Sequence, residues 1–84
     1  MAYYQIKWDE RAYKELKKLD RQIATRILKK INTLSESPFT KGEHLKGRFK
    51  NKLRMKIGDY RVIYWVEKDI VWIISVGHRR QIYR

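Results

Sequence analysis

Lys52, Arg54 and Lys56 recur at every second position of the stretch Lys52-Leu53-Arg54-Met55-Lys56-Ile57. In an extended chain the three cations share one face, and Leu53, Met55 and Ile57 share the other. Like charges so close repel, so such a row serves a folded protein in one of two ways. It receives an anionic group, or it keeps an exposed strand from associating with another. Arg61 stands in the otherwise apolar run Tyr60 to Val66. A guanidinium there loses hydration unless it pairs with Asp59 or Glu67, or faces a phosphate whose oxygens it can bind bidentately. The segment Val76-Gly77-His78-Arg79-Arg80-Gln81-Ile82-Tyr83-Arg84 interleaves arginines with a histidine and a tyrosine. It reads either as a solvated basic end or as a contact strip for single-stranded nucleic acid, where cations hold phosphate and a ring stacks on a base.

Other chemistries find little support. The chain has no cysteine, which excludes disulfides, thiolate metal sites and a cysteine nucleophile. Its two histidines, His44 and His78, lie far apart in sequence. Asp9 and Asp20 are placed as helix caps, Glu10 and Glu15 fall on a helix face, and Asp59 and Asp69 sit in turns, so no carboxylate dyad emerges. No glycine-rich phosphate loop is present. The expectation is a site without metal or cofactor.

The elements that position these residues follow from periodicity. Tyr4, Ile6 and Trp8 alternate with polar neighbours, predicting a strand over residues 3–8. Asp9 and Asp20 offer N-caps to two amphipathic helices: one over about residues 10–18 with Ala12, Tyr13, Leu16 and Leu19, the other running to about Leu34 with Ile23, Ile27 and Ile31. Ser37-Pro38 stops the second helix, and residues 35–47 read as a loop with at most a short turn. Three strands follow, Lys52 to Ile57, Tyr60 to Glu67 and Ile70 to Val76, joined by the two-residue turns Gly58-Asp59 and Lys68-Asp69. The run Ile70-Val71-Trp72-Ile73-Ile74 is apolar on both faces and predicts a central strand covered on both sides. The expected fold is α+β, in the order βααβββ, with a two-helix hairpin packed on an antiparallel sheet.

At 84 residues the chain predicts one domain spanning 1–84, and 21 Lys or Arg against 9 Asp or Glu give a net charge of +12. Apolar residues at 43% and aromatics at 13% are too many for a disordered basic tail. The N-terminus lacks the basic and apolar regions of a secretory signal, and no window reaches the roughly 18 apolar residues of a membrane span. A cytoplasmic location with no membrane partner is the expectation.

The order of elements, the stretch His44-Leu45-Lys46-Gly47 leading into Leu53-Arg54-Met55-Lys56-Ile57-Gly58-Asp59-Tyr60-Arg61-Val62-Ile63-Tyr64, and the ending Val76 to Arg84 together resemble the RelE/ParE superfamily of toxins from toxin–antitoxin pairs. The likeness covers nearly the whole chain. It is greater to the RelE branch, ribosome-dependent mRNA endonucleases, than to the ParE branch, which poisons gyrase. It implies metal-independent cleavage of mRNA in the ribosomal A site, by attack of a ribose 2′-OH on its own 3′ phosphate. It implies Lys56, Arg61, Arg79 and Tyr83 as the catalytic set: Arg61 on the scissile phosphate, Arg79 as general acid with Arg80 as the alternative, and Tyr83 stacking on a base and taking the 2′-OH proton. Lys52, Arg54, His78, Arg80 and Arg84 are implied as RNA contacts. A cognate antitoxin, ribosomal RNA and mRNA are the implied partners.

Overall fold

A computed structural model of the chain describes residues 3–47 and 51–82. Strand β1 (Gln5–Trp8) leads into helices α1 (Glu10–Lys17) and α2 (Arg21–Asn32). A 3₁₀ turn at Thr33–Ser35 follows, then β2 (Glu43–His44), β3 (Leu53–Ile57), β4 (Tyr60–Glu67) and β5 (Ile70–His78). The two aspartates cap as expected: Asp9 accepts from the Arg11 N–H at 2.9 Å and Asp20 from the Gln22 N–H at 3.2 Å. None of the helices among the described residues is long and apolar enough to cross a membrane.

The strands form one sheet in the order β1-β5-β4-β3-β2. Strands β3, β4 and β5 make the expected antiparallel meander. Its turns depend on left-handed backbone at Gly58 (φ 59°) and Lys68 (φ 56°), the conformation that lets a two-residue loop match strand twist. The sheet is mixed, however, because β1 joins β5 in parallel, with Gln5 opposite Ile70 and Trp8 opposite Ile73. The connection from β1 to β5, through the helical hairpin and then β2, β3 and β4, is far longer than the crossover that parallel pairing requires. A fifth strand, β2, forms inside the expected loop, Glu43 pairing with Arg54 and His44 with Leu53.

Both helices lie on the same face of the sheet. Ala12, Leu16, Ile27 and Ile31 pack there with Leu53, Met55, Ile57, Val62, Tyr64, Val71, Ile73 and Val76, all buried. Strand β5 is interior, as expected, but it is covered by helices on one face only. Val71 and Ile73 are fully enclosed, whereas Trp72 and Ile74 are half-buried. With the helix layer confined to one side, apolar residues of the other face shield one another: Trp65 and Trp72 are cross-strand partners. The register also slips between Ile63 and Tyr64, which pair with Ser75 and Ile73, so Ile74 is the extra residue of a bulge.

Candidate nucleic-acid interface

Strand pairing assembles a cationic corner on the face away from the helices. Lys56 lies opposite Arg61, Arg61 opposite Gly77, and Arg54 opposite Ile63. Because Leu53, Met55 and Ile57 are buried beneath the helices, alternation turns Arg54 and Lys56 outward, as the sequence predicts. Arg61 is half-buried and resolves its cost in neither carboxylate pair that the sequence offered. Its Nη1 donates to the carbonyls of Gly58 at 2.9 Å and Tyr60 at 2.8 Å. Among the described residues Asp59 and Glu67 form no ion pair with it, and Nε and Nη2 meet no protein acceptor. The guanidinium is thus tied to its own turn by one nitrogen while its other donors remain available to an oxyanion.

Glu43 is the residue that sequence reasoning missed. Its Oε2 accepts from Arg54 Nη2 at 2.8 Å, and its Oε1 lies 3.7 Å from Lys56 Nζ. The Arg54 hydrogen bond first, then the nearby Lys56 charge, hold the carboxyl below its ordinary range. The anion over the cationic row is therefore, in this structure, the protein's own carboxylate. One signal was present: Glu43 is the only acidic residue between Glu36 and Asp59. The segment carrying it is pinned by Tyr64, whose hydroxyl donates to the Pro38 carbonyl at 2.6 Å, and by the Leu45 N–H donating to the Lys52 carbonyl at 3.0 Å. Gly42 passes so close to the Tyr64 ring and hydroxyl that a Cβ would collide with them.

The C-terminal residues divide. Arg79 joins the corner, its N–H donating to the Asp59 carbonyl at 2.8 Å and its Nε 3.7 Å from the Asp59 carboxylate. It thereby flanks the same turn that anchors Arg61. Arg80 is exposed beyond it. His78 is not brought to the corner. It pairs in register with Tyr60 on the helix side, the rings 5.5 Å apart and nearly perpendicular, and its Nδ1 accepts from the Arg80 N–H. Strand parity is the reason, because Gly77, one position earlier, shares the face of Arg61. Lys52 is half-buried just ahead of β3. Tyr83 and Arg84 lie outside the described residues.

This arrangement of fixed cations around an open sheet corner is suited to bind and polarise a phosphate. The family described as "ParE toxin of type II toxin-antitoxin system, parDE" matches residues 6–83. The chain belongs to the RelE/ParE superfamily of toxins. Within that superfamily it is 37% identical over 84 residues to the "mRNA interferase toxin RelE" of Escherichia coli K12, spanning 96% of this chain and 87% of that protein. The toxin in a RelBE toxin–antitoxin complex of Mycobacterium tuberculosis superposes with a TM-score of 0.86 at 25% identity, covering 93% of this chain and all of that one (100%). The toxin of the intact E. coli RelBE complex gives 0.76 at 34% identity, covering 92% and 96% of the two chains. RelE toxins thus share the two helices packed on a mixed sheet.

Proposed function

We propose that this RelE-family toxin is a ribosome-dependent mRNA endonuclease, a single domain over residues 1–84 acting in the cytoplasm without a metal. The observation that carries the reading is the 37% identity, over 96% of the chain, to a protein named an mRNA interferase. In this reading the ribose 2′-OH attacks the adjacent 3′ phosphate. A 2′,3′-cyclic phosphate forms and the 5′ oxygen of the next nucleotide leaves. Arg61, through its open Nε and Nη2 donors, and Lys56 neutralise the charge that builds on the phosphorane. Arg79 protonates the departing 5′ oxygen, and Tyr83 takes the 2′-OH proton. A tyrosine titrates near ~10 when free, so the neighbouring cations must lower its pKa for it to serve as base. Lys52, Arg54, Arg80 and Arg84 guide the RNA backbone. The +12 charge docks the protein on ribosomal RNA, with an affinity that falls steeply as salt rises. A cognate antitoxin covers the basic face, a partnership supported by the RelBE complexes among its structural relatives.

The family description naming ParE favours a second reading, inhibition of gyrase without nuclease chemistry. Primer extension on a reporter mRNA, with and without programmed ribosomes and beside Arg61→Ala, separates the two. New ends within A-site codons, only with ribosomes and lost in the variant, are the expected result. Intact mRNA with altered plasmid supercoiling would instead establish the gyrase reading.

A further inference from the structure

The face turned away from the helices carries more than the cationic corner. Trp65 on β4 and Trp72 on β5 are direct cross-strand partners. Trp72 is also the register partner of Lys7 on β1, whose Nζ lies 5.8 Å from the centre of the indole ring. Both indoles are half-buried, while their chain neighbours Tyr64, Val71 and Ile73 are fully enclosed on the helix side. Arg61 precedes Trp65 by four residues on the same strand, hence on the same face and roughly 13 Å away along it. Among the described residues no helix covers this face, and two large, half-buried apolar side chains lie on it between Lys7, whose Nζ sits over the Trp72 ring, and the cations Arg54, Lys56 and Arg61, with Ile63 buried beside them.

We propose that Trp65 and Trp72 form a stacking platform for unpaired RNA bases, placed so that a strand held by its phosphate at Arg61 and Lys56 lays neighbouring bases on the indoles. The ligand class follows from the combination. An apolar peptide would use the indoles and waste the flanking cations. A duplex would use the cations but hide its base faces. Single-stranded RNA uses both, since each nucleotide pairs a π-face with a phosphate. Because every base presents such a face, the platform adds affinity and fixes register without choosing a sequence. Lys7, drawn to the Trp72 ring, stands ready to meet a phosphate at the far end. That the strand is mRNA rests on the interferase reading. That the indoles stack on bases rests on the sheet geometry.

The test uses the full chain with two probes that cannot be cut: a short unstructured 2′-O-methyl RNA, and an abasic oligomer of equal length and charge. Fluorescence anisotropy at fixed salt should show tighter binding of the base-bearing oligomer. Trp65→Leu/Trp72→Leu should lose about tenfold for that oligomer and little for the abasic one. Trp72→Phe, which retains a ring, should keep most of the affinity, with far-UV circular dichroism confirming that each variant is folded. Quenching of tryptophan emission by the base-bearing oligomer gives a readout in the unaltered protein. The proposal is overturned if neither oligomer binds, if the leucine variant loses equally for both, or if the emission shifts with protein concentration alone, which would mean that a second copy covers the face. Base-dependent binding without ribosomal cleavage would spare the platform and remove the interferase reading. Cleavage by a protein whose leucine variant binds both oligomers normally would do the reverse.

Discussion

Glu43 bridges Arg54 and Lys56, at 2.8 Å and 3.7 Å, on the face where a phosphate would need the same two cations. An incoming backbone must compete with this carboxylate. Glu43→Gln is expected to tighten binding of unpaired RNA about two- to fivefold. Glu10→Gln is the control, since it removes an equal charge from a helix pair with Lys14. Anisotropy titrations of both variants check the prediction, and equal gains would reduce the effect to net charge.

The same pair makes stability depend on acid. The Glu43 carboxyl titrates below its ordinary 4.5 in the folded protein, so its contribution is complete above the unfolded value and is lost as pH falls through the folded one. Thermal midpoints measured from pH 7 downward should therefore decline less in Glu43→Gln than in the parent below about pH 4.5. Parallel curves would show that the pair adds nothing to the fold.

Arg61→Ala removes the guanidinium that straddles the turn and the open face. Ribosome-programmed cleavage should fall about 10²–10³-fold, whereas losing the bonds to the Gly58 and Tyr60 carbonyls should cost only about 1 kcal/mol of stability. Cleavage rates beside a urea titration separate these losses. A variant that unfolds in proportion to its lost activity would contradict the assignment.

Beyond Trp8, the end of β1, the edge of β5 is closed by α1: Glu15 Oε1 accepts from the Val76 N–H at 3.0 Å and from the Ser75 hydroxyl at 3.1 Å. Glu15→Ala strands both donors and should cost about 1–3 kcal/mol. Glu15→Gln keeps an acceptor and should cost less. Urea midpoints of the two variants decide it, and indistinguishable values would mean that the carboxylate does not seal the edge.

Tyr64 links β4 to the segment that carries Glu43. Burial pushes its phenol up to about 12, so the unfolded chain releases this proton from pH 10 while the folded one retains it, and stability falls across that interval. Tyr64→Phe should be less stable near neutrality, because the Pro38 carbonyl loses its donor, yet should lose less on going from pH 9 to 12. Chemical denaturation at several alkaline pH values tests this crossing of slopes.

The parts of this molecule governed by short-range rules were legible in the sequence. The caps at Asp9 and Asp20, the meander with its two tight turns, and the sidedness of Leu53, Met55 and Ile57 against Arg54 and Lys56 all follow from neighbours a few residues apart. What pairing over distance decides was not legible. The two-residue strand at Glu43 exists only because β3 lies beside it, and no local pattern marks it. The parallel partnership of β1 and β5 likewise has no signature in either segment alone. The side taken by His78 was not legible either: unbroken alternation from Val71 and Ile73 would put it on the face of Trp72 and Arg61, and only the bulge at Ile74 turns it to Tyr60. Nor was the carbonyl anchorage of Arg61, since a side chain that turns back on its own hairpin leaves no trace in the spacing of charges.

Among the described residues strand β1 has its only strand partner in β5, with Gln5 opposite Ile70. A chain still being synthesised therefore holds β1 and the helical hairpin for most of its length before the strand they dock against exists. Closing so long a loop comes late and with an entropic cost. The meander of β3, β4 and β5 completes itself only as the same final strand emerges. Whatever activity the folded protein has therefore appears only after Ile70–His78 has left the exit tunnel.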